Sequence, residues 1–419
     1  MARTALGELT AKQRHIVTAA YLGWTLDAFD FFLLVFVLTD VADAFGVSRL
    51  AVTWALTLTL AFRPVGAFAF GRLADRYGRK PVMMADVLLY AVFGFATAFA
   101  PNFSIFLVIR GCFGIAMGGE WGVAASLTME AIPPRSRGIV SGLLQAGYPS
   151  GLLLASAVYG LLFPYIGWRG MFMVGLAPAL LVLYIRRQVD ESPGWHAETA
   201  MRAPGTLAVI RKHWKLALVT MAFMMAMNFF SHGTQDLYPT FLKVERGLGV
   251  HGIGTINMAA AVGAILGGIA FGALSQRIGR SNGLVLGALL AIPLVPFWVL
   301  APSAGLLAVA AFFMQFVVQG CWGIIPAHLN ELSPPEARGT FPGVVYQLGN
   351  FLASYNVTLQ AGLAAACGSY ALSLSAVAVA AAVMIGAIAY LSEDATHAEL
   401  GSGIPGGGPQ ENRKSCGGA

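Results

Sequence analysis

Charge is what this chain has least of. Only 11% of its 419 residues are Asp, Glu, Lys or Arg, against about 25% in an ordinary soluble domain. That shortage excludes a fold whose whole surface is solvated. The net charge of +6 does not point to nucleic acid, because the basic residues sit in particular loops. Cysteine is scarce too. Cys112, Cys321 and Cys367 fall in or at the edge of apolar runs and Cys416 lies near the end, which leaves no disulfide framework and no metal-ligand spacing. A nucleophile–base set and a phosphate-binding loop are also missing, so no enzyme and no cofactor is expected. The opening residues carry Arg3, Lys12 and Arg14 ahead of a full-length apolar span, which is not the pattern of a cleavable leader.

Apolar sequence fills the space. It makes up 57% of the chain, with a mean hydropathy of +0.70. Runs of about 20 apolar residues, each long enough to cross a bilayer, recur along the whole length. Twelve spans are expected, at 16–39, 50–71, 81–100, 104–129, 139–163, 167–186, 215–241, 252–274, 282–300, 304–327, 341–364 and 370–391. The fold class is an all-α integral membrane protein. Twelve spans put both termini on one side. If that side is cytoplasmic, twenty of the 26 Lys and Arg face it, four face outside (Arg49, Arg169, Lys243, Arg246), and Arg63 and Arg110 are within spans. The asymmetry is a positive-inside signal. A multi-pass protein of the cell (inner) membrane, with cytoplasmic termini, is expected; its partners are the bilayer and a small molecule, and a monomer is expected.

The chain repeats itself at an offset of 201 residues. Gly71, Arg76, Gly78 and Arg79 map to Gly272, Arg277, Gly279 and Arg280. Gly119–Gly122 maps to Gly320–Gly323, and Glu130, Pro133, Pro134, Arg137 and Gly138 map to Glu331, Pro334, Pro335, Arg338 and Gly339. One offset held across separated loops implies two six-span bundles, 1–186 and 215–391, joined by a cytoplasmic linker, 187–214, and followed by a Gly/Pro-rich tail, 392–419, expected to be disordered. Parallel repeats with a site between them are a transporter architecture.

The polar residues inside spans mark that site. In Asn228–Thr240, reading NFFSHGTQDLYPT, the residues Ser231, Gln235, Asn228, His232 and Asp236 fall within an arc of roughly 140° on one helix. Such a stripe must face protein or water. It reads either as helix–helix glue or as a functional site, the default for an intramembrane ionisable group. Asp27 and Asp30, three apart on span one, share a helix face, and their repeat counterparts are Asn228 and Ser231. Arg63 in span two needs a partner, and Asp27 or Asp30 is the candidate. The pair is either a static tie or the holder of a substrate carboxylate, which guanidinium grips bidentately. Its counterpart Ala264 leaves the charge in one half only.

Asp86 in span three reads equally as a gate group or a structural one. On span four, Gly114, Gly118 and Gly122 form a small-residue ridge. Arg110 and Glu120 flank it about 15 Å apart, too far to pair. Glu120 is either a proton carrier or a tie to another helix, since hydrocarbon disfavours a charged carboxylate. Gln145, Tyr148, Gln315, Gln319, Trp322, Gln347, Asn350 and Ser354 add neutral polar or amphipathic groups on later spans. Tyr148 and Gln347 are taken here as substrate contacts. His328 is expected at the interface near the end of span ten.

The loop Gly71–Lys80, GRLADRYGRK, resembles the signature loop of the major facilitator superfamily at every defined position. The resemblance covers essentially residues 12–391 and implies two pseudo-symmetric six-helix bundles. It assigns Asp75 and Arg79, with Gly71, Arg76 and Gly78, to an inside gate, and Glu130 is placed to pair with Arg79. The second copy, GALSQRIGRS, has Gln276 for the acid and Ser281 for the last base, which weakens the same inference for the C-terminal half. The stretch of span seven resembles the motif Asn-x-x-Ser/Thr-His-x-Ser/Thr-Gln-Asp-x-x-x-Thr of lactate/pyruvate:proton symporters, matched by Asn228, Ser231, His232, Thr234, Gln235, Asp236 and Thr240. Those carriers are grouped with the sialate:proton symporter family, which this chain also resembles in DAFDFF and GGEWG. There the motif is associated with substrate recognition and proton coupling. The chain lacks the long N-terminal extension of fungal members, and its short linker argues against the sialate branch.

Together these imply a proton-coupled symporter of a small monocarboxylate of the lactate/pyruvate type. One cation anchors the anion and one group gains the proton, so the step is electroneutral. Arg63 is assigned as anchor, with Asn228, His232, Gln235, Tyr148 and Gln347 as partners. Asp27, Asp30, Asp236 and Glu120 are assigned to the proton, with His232 as the other carrier. The rival expectations are symport of another organic acid, a sugar or sialate, a drug:proton antiporter, and a non-transporting sensor.

Overall fold

The computed structural model describes residues 7–193, 195 and 206–392. The helices are α1 (Ala11–Phe45), α2 (Arg49–Tyr77), α3 (Arg79–Thr97), α4 (Phe103–Ala131), α5 (Arg137–Gln145), α6 (Gly147–Val174), α7 (Ala179–Gln188), α8 (Thr206–Lys212), α9 (Trp214–Gln235), α10 (Tyr238–Val244), α11 (Val250–Ile278), α12 (Arg280–Leu300), α13 (Ala304–Leu332), α14 (Phe341–Ala353), α15 (Asn356–Cys367) and α16 (Tyr370–Leu391). Nine helical segments among the described residues are long and apolar enough to cross a membrane by themselves. The other crossings are α1, which carries Asp27 and Asp30, and the sixth and eleventh, which are broken into shorter helices. The chain is thus a multi-pass membrane protein of twelve transmembrane helices in two six-helix bundles. Of the expected linker, 194 and 196–205 lie outside the described residues, as does the expected tail after Ser392.

Local chemistry sets the ends of these helices. Thr10 and Gln13 form a capping box at the start of α1, and the side chains of Ser48, Asn102, Ser303 and Ser369 accept from the first turns of α2, α4, α13 and α16. Gly78 (φ 107°) and Gly279 (φ 94°) sit at equivalent points between α2 and α3 and between α11 and α12. Both need a backbone that a side chain rarely allows, which is why the repeat holds glycine there. The fifth and sixth crossings are less regular than the sequence implies. The fifth is interrupted between Gln145 and Gly147, and α6 runs through a kink at Gly167 into the sixth. The seventh breaks after Gln235, with Asp236 as the C-cap of α9, its amide still bonded to the His232 carbonyl and its side chain one turn on from His232.

In lipid, close backbone packing replaces the hydrophobic effect as glue. The predicted ridge on α4 does this work: Gly114 lies against the backbone of Thr59, Gly118 against that of Arg63 and Gly122 against Gly343. The two bundles meet through α5 against α11 and α13, and through α14 against α2 and α4. These are the same pairings, exchanged by the repeat.

Candidate functional site

On the side that carries the Gly71–Lys80 loop, the bundles are locked together. Asp75 accepts from the Gly339 amide (2.7 Å) and from the Thr340 hydroxyl (2.5 Å) across the bundle interface. Arg79, fully buried, lies 3.4 Å from Asp75 and donates to Glu130 at 3.1 Å. Ser192 donates to the other Glu130 oxygen. Glu191 accepts from the backbone amides of Arg79 (2.9 Å) and Lys80 (3.2 Å) at the start of α3, where a negative charge suits the helix dipole. The second half mirrors this despite its altered loop. Arg280 grips Glu331 with two 3.0 Å hydrogen bonds, and Gln276 accepts from the Gly138 amide at 3.0 Å. The contact needs an acceptor oxygen rather than a charge, so the amide at 276 does what the carboxylate at 75 does. The sequence reading had discounted that role. Arg76 stacks on its neighbour Tyr77, 5.4 Å from the ring centre.

Above this lock an aromatic plug closes the centre. Trp121 stacks on Tyr346 (4.5 Å, 25°), Trp322 meets the same ring edge-on at 5.5 Å, and the Trp121 N–H donates to Gln145 at 3.2 Å. From the plug toward the opposite side runs a cavity of about 620 Å³ between the bundles, with walls reaching Thr57, Asn257 and Trp298.

Arg63 is the only Lys or Arg on this wall among the described residues. Its Nη2 lies 3.7 Å from Asp27 Oδ2, too long for a charge-assisted hydrogen bond, for which about 2.7–2.9 Å is usual. Both Asp27 oxygens and the Arg63 Nε and Nη2 atoms are buried without a hydrogen bond. The guanidinium is therefore balanced by charge but not locked in place. Facing it are His232 and Asp236, 3.3 Å apart with side chains 37% and 29% exposed, together with Asn228, Ser231 and Gln235 of the same motif.

Part of the motif is engaged in a ladder between α9 and α13. Gln319 donates to Ser231 (2.8 Å), Gln235 donates to Gln315 (2.9 Å), and Gln315 donates to Thr234 (3.0 Å). The glue reading therefore applies to Ser231, Thr234 and Gln235, whose amide nitrogen also donates to Ser231 (3.2 Å), and Asn228 donates to its own helix at Met224 (2.8 Å).

The remaining assigned residues divide. Tyr148 lines the cavity, against Trp24 (5.5 Å) and Phe32 (5.4 Å). Gln347 is 1% exposed, off the wall, with its amide atoms unpaired. Asp30 is not Arg63's partner. It turns toward Gly94 and Gly175 instead, and the nearest guanidinium charge acting on it is that of Arg110. Arg110 stacks over Phe113 at 4.1 Å. Glu120 is fully buried with one carboxylate oxygen against Gly23. Asp86 is fully buried within charge interaction of Glu120 and Asp27, away from the gate loop. His328 is 2% exposed, edge-on to Phe223 at 5.8 Å. Sequence reasoning overlooked Trp24, Phe31, Phe32 and Tyr346 as wall residues and Glu191 and Ser192 as gate residues. The only sequence signal for Trp24, Phe31 and Phe32 is their place beside Asp27 and Asp30 in GWTLDAFDFF, and Tyr346 has none of that kind.

The family description "Major Facilitator Superfamily" matches residues 20–355. The chain is 29% identical to "Sialic acid transporter NanX" of Escherichia coli over 83% of this chain and 87% of that protein. It is 30% identical to "Probable 4-methylmuconolactone transporter" of Cupriavidus pinatubonensis, over 88% and 89%. It is 28% identical to "Carboxylic acid transporter protein homolog" of Saccharomyces cerevisiae, over 86% of this chain and 62% of the yeast protein. Among solved structures, the proton:xylose symporter XylE bound to 6-bromo-6-deoxy-D-glucose superposes with a TM-score of 0.75 at 17% identity, covering 94% of this chain and 98% of that one. At that identity the likeness concerns the fold alone.

Proposed function

The chain belongs to the major facilitator superfamily, and from that premise we propose that it is a secondary transporter carrying a small monocarboxylate of the lactate/pyruvate type together with one proton. The observation that carries the reading is Arg63, one loosely paired cation on the wall of a cavity otherwise lined by neutral polar and aromatic groups, His232 and Asp236. One fixed positive charge matches one carboxylate. His232 stands opposite as a partner for the carboxylate, and the Gln235 oxygen, whose amide nitrogen is held by Ser231 and Gln315, is left to accept from a 2-hydroxyl. The names of the E. coli and yeast relatives, a sialic acid transporter and a carboxylic acid transporter homolog, agree with an organic anion.

Binding the anion draws Arg63 forward from Asp27. A carboxylate left alone in the bilayer interior is costly, so Asp27 takes up a proton as the substrate takes the guanidinium. Each event favours the other, which is the linkage symport requires. The halves 1–186 and 215–391 then rock about the site, with 187–214 joining them. The basic excess puts the Gly71–Lys80 side in the cytoplasm, so the cavity faces outward with the inner gate shut. The inner membrane is the location and the monomer the working unit.

The test is proton movement. In proteoliposomes holding a pH dye, L-lactate or pyruvate should acidify the lumen, and Arg63→Gln should abolish the response. A response to glucose or sialate and none to either acid would refute the substrate class.

A further inference from the structure

Behind Arg63, on the side away from the cavity, three carboxyls share one closed space inside the N-terminal bundle. Asp27, Asp86 and Glu120 are each 0% exposed, and none of their six oxygens accepts a hydrogen bond. None is on the cavity wall. Glu120 lies against Gly23, one helical turn from Asp27 toward the gate side, and the methyl of Met83, one turn before Asp86 on α3, abuts the same glycine. Glu120 is within charge interaction of both Asp27 and Arg63, and Asp86 within that of Glu120 and Asp27. The Tyr90 hydroxyl, also 0% exposed and without a hydrogen bond, is within charge interaction of all of them. Asp30 and Arg110 balance each other to one side.

Charge counting then decides the state. These groups are 0% exposed, no protein donor among the described residues binds them, and buried charges persist only when balanced. One guanidinium, Arg63, balances one carboxylate. The other two must carry protons.

We propose that Asp27, Glu120 and Asp86 form a proton reservoir separate from the substrate site, holding two protons while Arg63 faces Asp27 and a third when the guanidinium turns to a bound carboxylate. Glu120 and Asp86 keep the resident protons. Asp27 gains and loses the third, as –COO⁻ plus H⁺ giving –COOH, drawn from the aqueous side to which the cavity is open. Substrate and proton thus occupy opposite faces of one guanidinium. Only the third proton rests on the monocarboxylate reading above.

The experiment is infrared spectroscopy of the full chain in lipid, reading the C=O stretch of protonated carboxyls by its shift in D₂O. The substrate-free wild type should show a protonated-carboxyl band at neutral pH, where exposed Asp and Glu are ionised. Glu120→Gln and Asp86→Asn should each remove part of that band, and Asp27→Asn should lower it too, because Glu120, within charge interaction of Arg63, then gives up its proton to balance the guanidinium. Lactate should add intensity in the wild type. A wild type without the neutral-pH band overturns the reservoir, and so does a band untouched by both Glu120→Gln and Asp86→Asn. A resident band that follows Glu120 and Asp86 but ignores lactate and pyruvate upholds the reservoir and overturns the substrate reading.

Discussion

Valine in place of Gly122 should pry the gate side open. A Cβ at Gly122 would sit 2.8 Å from the Gly343 Cα of the other bundle. The obstacle is backbone, so no side chain can turn aside, and the two branches of valine enlarge the clash. Overpacking of this kind costs about 1–3 kcal/mol. Here the cost falls on the closed arrangement alone, because the contact exists only while the bundles meet. At about 1.36 kcal/mol per factor of ten, the gate-open population should rise between about 5-fold and 160-fold. Ser141 reports it. Its side chain is 0% exposed and accepts from the Ala327 amide across the interface at 3.0 Å. In a background freed of native cysteines, Ser141→Cys should react with a membrane-permeant maleimide faster by that factor when Gly122→Val is added. Gly305→Val, where nothing stands within 4 Å of the new Cβ, is the control and should leave the rate alone. Equal rates with and without Gly122→Val would refute the idea that glycine contact holds this side shut.

Three more expectations follow from single contacts. Arg280→Ala leaves the buried Glu331 carboxylate, now held by two 3.0 Å bonds, with only the longer 3.8 Å contact to Arg137; removing one partner of a buried pair costs about 3–5 kcal/mol, seen as a lower thermal midpoint in detergent, and Glu331→Gln should lower it too because it leaves the buried Arg280 charge unbalanced. Gln276→Asp should be tolerated at the Gly138 contact and Gln276→Leu not, since an acceptor is what Gly138 needs; the Ser141→Cys labelling rate checks this. Lys12 holds the Asp190 carboxyl below the usual carboxylate range by a hydrogen bond first and its charge second. The sign follows: that contact stabilises above the unfolded value of about 3.9 and fades as pH falls through the lowered one. Both groups are exposed, so Lys12→Ala should leave the midpoint unchanged within error at pH 7, and a clear drop would show the contact to matter more than its exposure implies.

How much of this was legible in the sequence differs from residue to residue. The spans and the repeat are written in composition and spacing, because lipid demands long apolar helices and the turns at Gly78 and Gly279 demand glycine, whereas the gate loop is legible only through its resemblance to the superfamily's signature loop. Arg63 needing a carboxylate was legible from cost alone. Which carboxylate was not. Asp27 and Asp30 are three residues apart on one helix, and only the approach of α3 and the sixth crossing decides that Asp30 turns to Gly94 and Gly175. The polar stripe on α9 was visible, but its division was not, because the ladder depends on Gln315 and Gln319 standing opposite Ser231 and Thr234. Gln276 looked like a lost gate residue because its charge was gone, whereas the contact uses its oxygen. His328 read as interfacial from its depth, and its burial against Phe223 on another helix was not legible. In each case the missing information is which helix faces which, and periodicity along one segment does not contain it.

The measurement that bears most directly on the central claim is uptake of labelled L-lactate into proteoliposomes, with the outside acidified relative to the inside and again with the gradient collapsed. Accumulation that needs the gradient, is competed away by unlabelled pyruvate and is lost in Arg63→Gln is the predicted result. Uptake indifferent to the gradient, or none for any monocarboxylate, would contradict the claim that Arg63 and Asp27 couple an anion to a proton in this cavity.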